Sequence, residues 1–130
     1  MKNKILIIED DTVFQKVLSQ ALEDAGFETV TASDGEAGVR LADKEEPQLI
    51  VLDVILPKKD GFTVMEYLSK SPKLSSVPVM VITNLEGSHD VERMMTLGAK
   101  GFLIKVNYSM EEIVAAIKNI MDTYAVKKKK

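Results

Sequence analysis

The chain has 130 residues, 45% of them hydrophobic, which suits one domain around one core. It has no cysteine, which excludes disulfides, thiolate metal sites and a thiol nucleophile. The net charge of −3 gives no case for binding a nucleic-acid backbone.

No apolar run approaches the about 20 residues that span a bilayer, and Met1-Lys2-Asn3-Lys4 leads into too short an apolar stretch to read as a signal peptide. The first run, Ile5-Leu6-Ile7-Ile8, predicts a strand that ends in Glu9-Asp10-Asp11. Val13, Val17, Leu18, Ala21, Leu22 and Ala25 then follow helical spacing, with Asp11 or Thr12 as the N-cap and Gly26 as the C-terminal stop. Glu28 to Ala32 is more polar and predicts an edge strand. Ser33 and Glu36 open a second helix, marked by Ala37, Leu41 and Ala42. Leu49-Ile50-Val51-Leu52 predicts a third strand, closed by Asp53.

A third helix begins near Gly61 and carries Met65 and Leu68. Val79-Met80-Val81-Ile82 predicts the fourth strand, ending in Thr83. Val91, Met94, Met95 and Gly98 mark a fourth helix and its end. Phe102-Leu103-Ile104 is the fifth strand, followed by Lys105. Ser109 and Glu112 form a capping box for a fifth helix carrying Ile113, Ala116, Ile117, Ile120, Met121 and Tyr124. Four of the five strand runs are continuously apolar, as strands covered on both faces are. Strict alternation of strand and helix predicts a (βα)5 fold with a parallel sheet, helices on both faces and right-handed crossovers.

The domain is expected over residues 1–124. Residues 125–130, ending in Lys127 to Lys130, are expected to be a disordered basic tail, without which the body is four charges more negative.

Ligands of open α/β sheets bind beyond the carboxyl ends of the strands. Glu9, Asp10, Asp53, Thr83 and Lys105 all follow such ends, so they converge on one edge. Taken singly, each has a plain structural reading as a cap, a turn residue or a surface lysine; the joint placement overrides those readings. Clustered carboxylates repel one another and raise each other's pKa, which a divalent cation relieves. Oxygen donors without His or Cys favour Mg2+, and Mn2+ can substitute. A lysine and a threonine hydroxyl complete an electrostatic cradle for a phosphoryl group, with a central carboxylate as nucleophile.

Several segments together resemble the receiver domain of response regulators in two-component signalling, over roughly residues 3–124. They are Ile5-Leu6-Ile7-Ile8-Glu9-Asp10-Asp11; Leu52-Asp53-Val54-Ile55-Leu56-Pro57 leading to Asp60-Gly61-Phe62; Val81-Ile82-Thr83; and Gly98-Ala99-Lys100-Gly101-Phe102-Leu103-Ile104-Lys105. The resemblance implies an α/β, flavodoxin-like (βα)5 three-layer sandwich with strand order 2-1-3-4-5. It implies that Asp53 is the phosphoacceptor. Glu9, Asp10 and Asp53 would hold Mg2+ with the backbone carbonyl of Ile55. Thr83 and Lys105 would bind phosphoryl oxygens, and Thr83 and Phe102 would form the switch. The implied function is Mg-dependent phosphorylation of Asp53 from a sensor histidine kinase or a histidine phosphotransfer protein, in the cytoplasm. The active state would dock a downstream protein or relay the phosphate.

The chain reads as a stand-alone receiver with no DNA-binding domain. It is expected to be monomeric when unphosphorylated and a weak dimer once activated, with a partner surface around Met94, Phe102 and Tyr108. The rival reading is a pseudo-receiver that only binds proteins. A turnover phosphatase is disfavoured because Ile55 stands where a general acid would be needed. Two residues depart from the family pattern: Val106 stands where proline usually follows the lysine through a cis bond, and Asn84 where Ala or Gly usually follows the threonine. Ile55 and Leu85 flank the expected line of water attack and are apolar, and Asn84 adds bulk there, so a slowly hydrolysed phosphate is expected.

Overall fold

The computed structural model describes residues 2–85 and 87–124; the tail expected at 125–130 lies outside them. Five strands alternate with five helices: β1 (Lys4–Ile8), α1 (Thr12–Asp24), β2 (Glu28–Ala32), α2 (Gly35–Glu45), β3 (Leu49–Leu52), α3 (Gly61–Lys70), β4 (Val79–Thr83), α4 (Ser88–Thr96), β5 (Gly101–Ile104) and α5 (Met110–Tyr124). A single 3-10 turn, Lys105–Asn107, links β5 to α5. The sheet is parallel throughout, in the expected order β2-β1-β3-β4-β5.

Alternation along each strand explains the continuous apolar runs. Leu6 and Ile8, Ile50 and Leu52, and Val79 and Val81 point to a core shared with α2, α3 and α4. Ile5 and Ile7, Leu49 and Val51, and Met80 and Ile82 point to the opposite core, closed by Leu18 and Leu22 of α1 and by Ile113, Ile117, Ile120 and Met121 of α5. Successive side chains of a strand lie on opposite faces, so a strand with helices on both sides has no polar face. β5 differs from this expectation. As an edge strand it leaves all four of its residues half-buried.

Three local readings change in the structure. The buried stripe of α1 is led by Phe14, Leu18, Ala21 and Leu22, whereas Val13 and Val17 are 71% and 48% exposed. The cap of α2 is Asp34, whose carboxylate accepts the Ala37 N–H at 2.8 Å, rather than Ser33. Met94 is fully buried, so it cannot belong to an outward partner surface; the neighbouring Met95 is exposed. The capping box of α5 forms as read, with Ser109 N–H on Glu112 Oε1 and Glu112 N–H on Ser109 Oγ. Asp11 caps α1 through the Val13 and Phe14 N–H groups, and Asp60 caps α3 through Thr63.

Candidate functional site

Register brings the site together. Ile8 lies opposite Leu52, so the next residues, Glu9 and Asp53, leave β1 and β3 side by side, and the Asp53 N–H donates to the Ile8 carbonyl at 3.0 Å. Thr83 lies opposite Ile104, which puts Lys105 one residue beyond the last rung of the β4–β5 ladder. One carboxylate oxygen from each of Glu9, Asp10 and Asp53 lies within 4.8 Å of the others. Glu9 and Asp53 are 2% and 5% exposed, while Asp10 is open to solvent.

Lys105 closes the cluster. Its Nζ lies 2.5 Å from Glu9 Oε1 and 3.0 Å from Asp53 Oδ2. The second oxygen of Glu9 accepts the Asp11 N–H at 2.9 Å, and Asp53 Oδ1 accepts the Ile55 N–H at 3.2 Å. Each buried carboxylate is thus held by one cation and one backbone donor. Burial pushes the Glu9 carboxyl up to about 7; Lys105 and the Asp11 N–H oppose the rise, and the Asp53 charge adds to it. Mutual repulsion, the cause expected from sequence, is therefore secondary to desolvation at Glu9. Burial works to lower the Lys105 ammonium pKa, but the bond to Glu9 and the charge of Asp53 outweigh it and hold that pKa above the ordinary lysine value.

Thr83 is fully buried, and its Oγ1 accepts the Leu85 N–H at 3.3 Å in a tight turn at the end of β4. Phe102 is half-buried against the α4-side core. Ile55 is exposed at the lip of the site. The Lys105–Val106 peptide is trans, as are all the described peptide bonds. Asn84 is exposed, and its Oδ1 accepts the Val106 N–H at 3.2 Å, so its carboxamide is engaged with the β5–α5 turn.

Two contributors escape the strand-end rule because they sit on α1. The Phe14 ring lies under Lys105, with Nζ 4.5 Å from its centroid. Gln15 Nε2 donates to the Glu9 carbonyl at 2.8 Å and reaches Ala32 O and Ser33 Oγ at 3.3 and 3.4 Å, tying the end of β1 to that of β2. The signal for both was their place in the first turn after Asp11, where side chains face back over the strand ends.

An oxygen-only set of two buried acids and one solvent-open acid fits a hard divalent cation that keeps part of its water shell. Around that set, buried donors, a hydroxyl and an ammonium suit a group that is anionic and rich in oxygen.

Known proteins share this architecture. The family profile described as "Response regulator receiver domain" matches residues 5–118. The alkaline phosphatase synthesis transcriptional regulatory protein PhoP of Bacillus subtilis is 36% identical over 121 residues, which cover 93% of this chain and 49% of that protein. The chain spans about half the length of the curated relatives it matches. Among solved structures, a putative response regulator from Chloroflexus aurantiacus superposes with a TM-score of 0.86 at 27% identity, covering 94% of this chain and 99% of that one. The response regulator Rcp1, solved in its Mn2+-bound form, superposes with a TM-score of 0.79 at 25% identity, over 98% of this chain and 97% of that one.

Proposed function

This chain belongs to the response regulator receiver family of two-component signalling, and from that premise we propose that it is a phospho-switch whose phosphate is accepted by Asp53. The observation that carries the reading is the convergence of Glu9, Asp10 and Asp53 within 4.8 Å, with Lys105 on the Asp53 carboxylate at 3.0 Å. Glu9, Asp10 and Asp53 would hold Mg2+ or Mn2+, with the Ile55 carbonyl as a further ligand. When bound, such an ion supplies positive charge to the phosphoryl oxygens.

The chemistry assigned to the chain is a phosphoryl transfer. An Asp53 carboxylate oxygen attacks the phosphorus of a phosphohistidine on a sensor kinase or phosphotransfer protein. The P–O bond forms as the P–N bond breaks, and the imidazole leaves with the electron pair. Lys105 moves its ammonium from the carboxylates to a phosphoryl oxygen, and the Thr83 hydroxyl donates to another. Thr83 Oγ1 accepts the Leu85 N–H, which leaves its O–H able to donate, and the buried hydroxyl is assigned an inward turn toward the phosphate on activation that carries the β4–α4 turn with it. That rearrangement would alter the packing room beside half-buried Phe102 and shift the populations of two states. The domain would occupy residues 1–124 and act in the cytoplasm; it would be monomeric until activated and then dock a downstream protein, relay its phosphate, or dimerise weakly. Among the described residues no helix is long and apolar enough to cross a membrane.

The test is phosphate incorporation from a small phosphodonor with Mg2+, read by intact mass. The parent should gain one phosphate and Asp53→Asn none. Equal labelling of both would remove Asp53 from its role, and a parent that takes up no phosphate would return the chain to the pseudo-receiver reading.

A further inference from the structure

Asn84 and Val106 meet across the β4–β5 ladder. The registered pairing ends at Thr83 and Ile104. One residue past Thr83 and two past Ile104, the Val106 N–H donates to Asn84 Oδ1 at 3.2 Å. The contact adds a side-chain rung past the last backbone rung. Both partners are defined by their chemistry: a proline at 106 would have no N–H to give, and an alanine or glycine at 84 would have no acceptor to offer. The Val106 side chain is 74% exposed, so it is the backbone of this residue that meets Asn84.

The two residues flank the reactive groups directly. Asn84 is the middle residue of the turn closed by Leu85 N–H on Thr83 Oγ1. Val106 follows Lys105 in the 3-10 turn that begins at the lysine. Lys105 meanwhile reaches Glu9, Asp53 and the Phe14 ring. Its side chain is long and flexible, so where its Nζ rests depends on how firmly its backbone is held. β5 is an edge strand with every residue half-buried and a strand partner on one side only, and its pairing ends at Ile104, before Lys105.

We propose that the Asn84 carboxamide and the Val106 N–H form a clasp that fixes the start of the β5–α5 turn, making Asn84 a positioning residue for Lys105. The clasp also joins the Thr83 turn to the Lys105 turn, so a movement of one is felt by the other. The inference rests on the phospho-switch reading for its consequence, and on geometry alone for the clasp.

The experiment follows two readouts in parallel. The first is the NMR signal of the Lys105 ammonium, with Val106 amide exchange, in the unphosphorylated protein. The second is the rate of phosphorylation from a small phosphodonor with Mg2+. Asn84→Ala should shift the Lys105 signal, speed Val106 amide exchange, and slow phosphorylation about two- to fivefold, the range expected for losing one exposed neutral hydrogen bond. Val106→Ala keeps the N–H and should leave the Lys105 signal where the parent has it. Val106→Pro removes the donor, and the double variant Asn84→Ala/Val106→Pro should be no slower than the slower single variant. An Asn84→Ala protein with unchanged melting temperature, Lys105 signal and rate overturns the clasp, as do single-variant effects that simply add. If the parent takes up no phosphate, the phospho-switch reading fails, and the Lys105 signal still decides the clasp.

Discussion

The two halves of the site are built differently. Glu9, Asp10 and Asp53 leave β1 and β3, interior strands with both faces covered, and the Gln15 amide ties their loop to β2. Lys105 leaves β5, an exposed edge, and reaches the acids through a flexible side chain, while Asn84 and Val106 meet at the surface. Thr83 lies between, at the end of a buried strand but in a turn held by one bond. The contrast teaches that position is fixed where charge is concentrated, and freedom is kept where the responding groups sit. Rigid acids hold repulsive charges together, and a cation on a long side chain and a hydroxyl in a short turn can change partners.

Two glycines offer the widest break of this contrast. A Cβ on Gly61 would lie 2.5 Å from Val54 Cα and 2.6 Å from the Asp53 carbonyl oxygen, both backbone atoms of the acid half. Gly61→Ala should cost about 3 kcal/mol in denaturant unfolding, because backbone cannot step aside. A loss below about 1 kcal/mol would show that the β3–α3 loop is softer than its geometry.

Glu9 gives the next largest effect. Its folded pKa of about 7 lies above the ordinary value of 4.5, so the folded state holds the proton more tightly than the unfolded chain. Its contribution is therefore full below about pH 4.5 and is lost as pH rises to about 7. Across that window the parent should lose about 2 kcal/mol relative to Glu9→Gln in chemical denaturation without divalent ions. A parallel pH dependence of the two proteins would mean that burial does not govern this carboxyl.

Metal affinity sharpens the same half. Asp10→Ala should weaken Mg2+ binding in calorimetry by about tenfold or more. Full-strength binding would remove Asp10 from the set. The smallest effect belongs to β5. A Cβ on Gly101 would meet Met80 Sδ at 2.7 Å and Cε at 3.1 Å, the far end of a flexible side chain. Gly101→Ala should cost less than about 1 kcal/mol, since methionine can swing away. A cost equal to that of Gly61→Ala would erase the difference between the halves.

Most of this architecture is legible in the sequence because it follows from periodicity. Runs such as Ile5–Ile8 and Leu49–Leu52 have no polar face, which forces cover on both sides, and the residue after each run must then lie on one edge. What escaped is set by neighbours rather than by period. Val13 and Phe14 are adjacent apolar residues on one helix, and only the direction of α1 over the sheet decides that Phe14 goes inward and Val13 outward. Met94 and Met95 are told apart in the same way. Ser33 and Asp34 are both competent caps, and the geometry of the β2–α2 turn selects the aspartate. The bond between Asn84 and Val106 spans 22 positions and joins a side chain to a backbone group, a pairing that no local pattern encodes.

The aspartates that cap α1, α2 and α3 have a consequence beyond helix ends. Asp11, Asp34 and Asp60 share the carboxyl edge of the sheet with Glu9, Asp10 and Asp53, and these six acids outnumber the nearby Lys58, Lys59 and Lys105. The edge therefore casts a negative field into the water it faces. Cations are gathered from solution and dianions are turned back before any contact forms. Raising the ionic strength from 0.01 M to 0.1 M shortens the reach of that field from about 30 Å to about 10 Å. Over that range a small dianionic phosphodonor should be captured faster, while Mg2+ should bind more weakly.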